Sequence, residues 1–134
     1  MKTVNVKGID ISVLSLGTVQ LGLSYGINNA DGKPSQETAN AILNAALEGG
    51  INTLDTAGAY GDSEVVIGNW LKTIPVEKRP FIVTKAAGID HSSLENLRKD
   101  LFGRVKTSKE RLGVEQLDML MLHSHAEGTT IPAE

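Results

Sequence analysis

The sequence predicts an α/β fold: a parallel sheet with helices on its outer side. Three observations predict it. Apolar strand-like runs begin near residues 13, 51, 81 and 117. Segments of helical period separate them. The runs are continuously apolar rather than alternating, as strands are when both faces are covered. Right-handed crossovers of this kind make consecutive strands parallel. Two architectures satisfy the pattern, an open doubly wound sheet and part of an eight-stranded (β/α)8 barrel.

The elements follow in order. "KTVN" (2–5) and "IDIS" (9–12) flank "VKG", which reads as a hairpin with Gly8 in its turn. "VLSLGT" (13–18) is the first strand of the main series. "GLSYGINNADGKP" (22–34) is rich in Gly, Asn and Asp and reads as a loop. From Ser35 to Glu48, Ala39, Ile42, Leu43, Ala46 and Leu47 fall on one helical face. Ser35 is a candidate N-cap and Gly49-Gly50 a stop. "INTLD" (51–55) is the second strand, and "SEVVIGNWLKTI" starts a helix near Ser63. "FIVTK" (81–85) is the third strand. A helix is expected over 92–112, with Leu94, Leu97, Leu101, Val105 and Leu112 inward and Gly113 as its end. "LDMLMLH" (117–123) is the fourth strand. Residues 126–134 show no pattern, and no linker or low-complexity stretch divides the chain, so 1–134 reads as a single domain.

Composition removes several function classes. Apolar residues make up 40% and charged residues 22% of 134, ordinary for a globular domain with a real core. A net charge of −3 with no basic patch argues against nucleic acid as a partner. The absence of cysteine excludes disulfides, thiolate metal sites and cysteine nucleophiles, and suits a reducing cytoplasm. No apolar run approaches the roughly 20 residues of a membrane span, and "MKTVNVKGID" lacks the apolar core of a signal peptide.

The chemistry is expected at the strand ends. Asp55, Lys85 and His123 each close an expected parallel strand, and all such ends point to one side of the sheet. Tyr60 lies in the loop leaving the same side, within "LDTAGAYGDSE". A carboxylate beside a lysine keeps the lysine charged, and an ammonium beside a phenol favours the phenolate. Such a set suits protonation of a carbonyl oxygen while hydride reaches its carbon, with the imidazole orienting the oxygen. Each residue alone has a plainer reading: Asp55 as a turn or helix cap, Tyr60 as loop packing, Lys85 as a snorkelling strand end, His123 as a buried, satisfied imidazole. Glu64 reads as support for a helix start, Gly68 as room for helix packing, Trp70 as core and His91 as solvent-facing.

With these residues in place, the sequence resembles the aldo-keto reductases over roughly residues 8–124. The resemblance rests on "LGTVQLGLSYG", "GINTLDTAGAYGDSEVVIG", "FIVTKA" and "RLGVEQLDMLMLHS", in that order. It implies a (β/α)8 barrel, of which this chain holds about the first four strand-helix units. It implies reduction of an aldehyde or ketone to an alcohol with NADP(H) or NAD(H). By position, Tyr60 matches the family's general acid, Asp55 and Lys85 the pair that tunes it, and His123 the residue that orients the carbonyl. Gly17 and Thr18 match the strand-one loop near the nicotinamide ribose. "GTVQ" and "YGINNADGKPS" look most like bacterial members.

A whole barrel needs roughly 250 residues. The phosphate-binding loops of strands seven and eight are therefore expected to be missing, and no GxGxxG fingerprint replaces them. Activity of the 134 residues is expected to be very low or absent, and the half-barrel is expected to self-associate. Two other functions stay open. His123 and His125 at i and i+2 form a usable metal pair for a metal-dependent hydrolase. The chain could also persist as a non-catalytic assembly fragment.

Overall fold

The computed structural model of the chain describes residues 1–27, 29 and 32–123. It opens with a hairpin of β1 (Thr3–Val6) and β2 (Ile9–Ser12), paired antiparallel from Thr3–Ser12 to Val6–Ile9. The main series follows: β3 (Leu16–Gly17), a short α1 (Val19–Gly22), α2 (Gln36–Glu48), β4 (Thr53–Asp55), α3 (Ser63–Leu71), a 3-10 turn (Val76–Lys78), β5 (Phe81–Ala86), α4 (Leu94–Leu112) and β6 (Met119–Leu122). The four later strands form one parallel sheet in the order β3-β4-β5-β6. Sequential order favours the barrel arrangement over the doubly wound one, whose strand order reverses.

Local chemistry accounts for the helix ends. Ser35 and Ser93 are extended N-cap residues whose hydroxyls accept from the amides of Thr38 and Asn96. Gly113 closes α4 in the left-handed conformation, its amide bonded to the Lys109 carbonyl. The hairpin is fastened below β4: Asn52 accepts from the Ser12 amide at 2.7 Å and donates to the Asp10 carbonyl at 2.9 Å. It therefore covers the N-terminal end of the sheet, as expected, and leaves the C-terminal end open.

The core lies between sheet and helices, around Leu43, Leu54, Ile67, Trp70, Leu71 and Leu112. Trp70 is buried, and its indole donates to Asn44 at 2.8 Å. Helices α3 and α4 touch closely at Gly68: a Cβ there would lie 2.1 Å from the Arg111 carbonyl oxygen.

Several expectations need correction. The first strand of the series is only Leu16–Gly17; Val13 and Leu14 are exposed. On α2, Ala39 and Leu43 are buried, but Ile42 is 40% exposed because it faces the open β3 side of the sheet. On α4, Leu112 is buried, Leu97, Leu101 and Val105 are half-buried, and Leu94 is exposed. His91 does not face solvent freely. Its Nδ1 is buried without a hydrogen-bond partner, and the residue lines a small apolar pocket with Leu97, Leu101 and Leu120.

Candidate active site

Parallel pairing sets the C-terminal rim. Gly17 stands opposite Asp55, Asp55 opposite Val83, and Lys85 opposite Met121. Asp55 ends β4 as expected. Lys85 is the penultimate residue of β5, and His123 lies one past the end of β6. The shift is one residue in each case, and both stay at the rim. The His123 amide donates to the Ala86 carbonyl at 2.9 Å, which continues the ladder and fixes its height beside Lys85.

The side chains meet there. The Lys85 ammonium donates to the Asp55 carboxylate, to the Thr56 carbonyl at 3.2 Å and to the Tyr60 hydroxyl at 3.5 Å. It also lies 5.1 Å from the centroid of the Tyr60 ring, a cation–π distance. The His123 ring stands edge-on to Tyr60, with centroids 5.4 Å apart and planes at 83°. Asp55, Tyr60, Lys85 and His123 thus form one continuous group. The Lys85 side chain is mostly buried and the Asp55 side chain only partly, at 14% and 37% exposure, so the ion pair has one face toward the open rim. The Nδ1 of His123 is buried and has no hydrogen-bond partner.

Two backbone devices hold Tyr60. The Tyr60 and Ser63 amides bond to the Ala57 and Tyr60 carbonyls, which curls the loop into α3. The end of α1 then presses on that turn. A Cβ at Gly22 would lie 1.8 Å from the Tyr60 carbonyl oxygen and 2.4 Å from the Ser63 amide nitrogen, so only glycine fits. A second tie is Lys33, whose ammonium lies 2.6 Å from Asp62. The hydrogen bond and charge of Lys33 hold the Asp62 carboxyl below the usual carboxylate range.

Gly17 and Thr18 differ in what they offer. Nothing lies within 4 Å of where a Gly17 Cβ would stand, so the backbone beside Asp55 can be approached closely. Thr18 is completely buried. Its hydroxyl donates to the Asp55 carbonyl at 2.8 Å and lies 2.9 Å from the Ser63 hydroxyl, which in turn lies 3.0 Å from that of Thr56. Thr18 therefore braces the strand end that carries Asp55.

Sequence reasoning missed a second polar group below the rim. Glu64 stands in the first turn of α3, as its reading as helix-start support expects, but it is 1% exposed and its carboxylate turns inward. Its Oε1 accepts from Thr84 at 2.7 Å, and its Oε2 lies 3.5 Å from Arg111 Nη1. Thr84 lies in "FIVTKA" and Arg111 opens "RLGVEQLDMLMLHS", but nothing in either stretch pairs them with Glu64. The only signal of the partnership was an acid in the first turn of a largely apolar helix.

The metal pair of the hydrolase reading involves His125, which lies outside the described residues. Among the described residues, no group of three or more potential metal ligands occurs. No helix among them is long and apolar enough to cross a membrane.

Comparison with known proteins gives a consistent picture. A family model described as "Aldo/keto reductase family" matches residues 13–133. The chain is 34% identical over 116 residues to the aldo-keto reductase str7 of Strobilurus tenacellus, covering 85% of this chain and 33% of that protein. The crystal structure of an aldo-keto reductase from Pseudomonas aeruginosa superposes with a TM-score of 0.74 at 30% identity, covering 90% of this chain and 46% of the other. A Klebsiella pneumoniae aldo/keto reductase in complex with NADP and acetate has the same fold at 22% identity and a TM-score of 0.67, covering 91% and 38%. The chain spans about a third of the length of the relatives and less than half of the solved structures. These neighbours are (β/α)8 barrels. The relatives include both fungal and bacterial proteins.

Proposed function

The chain belongs to the aldo-keto reductase family, and from that premise we propose that it carries the proton-transfer half of an NAD(P)H-dependent carbonyl reductase. The observation that supports this reading most strongly is the contact of one lysine with both a carboxylate and a phenol at the strand-end rim. The substrate is a small aldehyde or ketone, and the setting is the cytoplasm. The cofactor is NADP(H), with NAD(H) as the alternative.

Tyr60 acts as general acid and gives its hydroxyl proton to the substrate oxygen. The Lys85 ammonium, 3.5 Å away, stabilises the phenolate that this leaves. Asp55 pairs with the Lys85 ammonium and aims it, and the Thr56 carbonyl accepts a second hydrogen bond from it at 3.2 Å. His123, edge-on to Tyr60, orients the substrate oxygen. The open backbone at Gly17, next to Asp55, suits the ribose end of the nicotinamide, with Thr18 as the brace behind it. Bound NAD(P)H would supply the hydride, and the chain supplies the proton.

With four parallel strands and the helices between them in place among the described residues, the 134 residues alone turn over slowly. The test follows NADPH and NADH absorbance with a panel of aldehydes, for the chain and for Tyr60→Phe. The reading expects slow aldehyde-dependent oxidation that Tyr60→Phe removes. Oxidation unchanged by Tyr60→Phe contradicts the proton-donor role, and rapid turnover contradicts the low intrinsic activity. Stoichiometric zinc in the purified protein would favour the hydrolase. Folded protein that binds neither nucleotide would favour an assembly role.

A further inference from the structure

The buried Glu64 is the observation that carries furthest. A carboxylate at 1% exposure is costly, and a buried ion pair is weak evidence for added stability, because well-packed apolar residues often do as well. The partners of Glu64 explain its presence better. Its Oε1 accepts from Thr84, which is completely buried and precedes Lys85 on β5. Its Oε2 has no hydrogen bond but lies 3.5 Å from Arg111 of α4. The same Arg111 nitrogen donates to the Gly58 carbonyl at 3.2 Å. The Gly58 amide donates to the Lys85 carbonyl at 3.1 Å, which closes the circuit. Gly58 lies two residues before Tyr60.

We infer that Glu64 is a positioning residue that sets the distance between Tyr60 and Lys85, acting through Thr84 on one side and through Arg111 and Gly58 on the other. The inference rests on the carbonyl-reductase reading for its functional arm. A bidentate acceptor is required for this. A neutral residue at 64 can hold Thr84 or fill the space, but offers no charge to the guanidinium that grips the Tyr60 loop, and so holds it more weakly. Without that charge, Arg111 is free to turn outward, since its side chain is already 37% exposed. The Tyr60 loop then loses its link to α4 while the fold persists.

The test uses the full chain labelled with 13C in its tyrosine rings. The sequence has two tyrosines, so two sets of ring signals arise, and those of Tyr60 are the ones absent from Tyr60→Phe. The ring lies beneath the Lys85 ammonium, so its shifts report that contact. In Glu64→Gln the Tyr60 signals should move toward their position in Lys85→Met, with those of Tyr25 unmoved. Carbonyl-reduction kcat should fall by about 10²-fold, the cost of a misplacement near 1 Å, with KM for NADPH unchanged. A folded Glu64→Gln with unmoved Tyr60 signals, and only a lowered unfolding midpoint, overturns the inference. If Glu64→Gln does not fold, Arg111→Met decides in its place: the same movement of the Tyr60 signals is expected, and an unmoved signal overturns the inference. If the unsubstituted chain reduces no carbonyl, the reductase reading fails, and the ring signals still decide whether Glu64 positions Tyr60.

Discussion

The placement of Tyr60 depends on one residue without a side chain. Gly22 holds the end of α1 against the Tyr60 turn, where a methyl group would meet backbone at 1.8 Å. Backbone cannot give way as the tip of a flexible side chain can. Gly22→Ala should therefore cost about 1–3 kcal/mol or more in chemical denaturation, the range for overpacking, and should displace the Tyr60 loop. Lys33 and Asp62 tie the preceding loop to the same turn. Because the Asp62 carboxyl is held below its ordinary value of 3.8, the tie is fully present above that pH and is lost as pH falls through the lowered value. Lys33→Met should thus speed amide exchange around residues 32–35 at neutral pH, and make no difference once the wild-type carboxylate is protonated. At this scale the sequence was legible where chemistry and position coincide. Asp55, Lys85 and His123 are titratable residues at strand ends, and Tyr60 follows one of them closely. The partnership of Glu64, Thr84 and Arg111 was not legible, although each lies in a stretch that carries the resemblance, because it crosses three elements.

Elements were legible wherever their boundaries carry local chemistry. Ser35 announces α2 through its hydroxyl and Gly113 ends α4, whereas the α4 cap is Ser93 and its start Leu94, two residues after the expected start. Ser93→Ala should cost about 1 kcal/mol, read as a lower midpoint in urea, because the Asn96 amide loses its acceptor. Gly68→Ala should cost more than this cap. Its added methyl would meet the Arg111 carbonyl at 2.1 Å and push α4 away from α3, carrying the Arg111 side chain off Gly58. Which helical residues are covered was less legible. Ile42 and Leu94 have the right spacing and remain exposed, since periodicity marks a face and not what packs against it. The first strand was overextended for the same reason: "VLSLGT" is apolar throughout, but only Leu16 and Gly17 pair with β4.

For the whole molecule, order of strands matters more than their content. Apolar runs alone left two architectures open, and pairing in the order β3-β4-β5-β6 favours the barrel. In the described chain β3 and β6 are the outer strands of this sheet, and Met119, Met121 and Leu122 of β6 are between 38% and 47% exposed. Unpaired strand edges with apolar side chains invite another chain. At about 25 cal/mol per Å², several hundred Å² left uncovered would cost on the order of 10 kcal/mol, comparable to the stability of a domain. The 134 residues should therefore self-associate, and sedimentation across a dilution series should show species larger than a monomer. A cooperatively folded monomer at high dilution would mean that the open face costs less than this.

The central claim is that the rim formed by Asp55, Tyr60, Lys85 and His123 moves the proton in carbonyl reduction. Its most direct test places residues 13–123 in the corresponding half of the Pseudomonas aeruginosa relative, to which the chain is similar at a TM-score of 0.74. The measurement is kcat for NADPH oxidation by an aldehyde, with and without Tyr60→Phe. The account predicts that the substitution lowers kcat by about 10²–10⁴-fold, the usual contribution of general acid catalysis, while NADPH binds equally well. An active chimaera that keeps most of its kcat with phenylalanine at position 60 would contradict it.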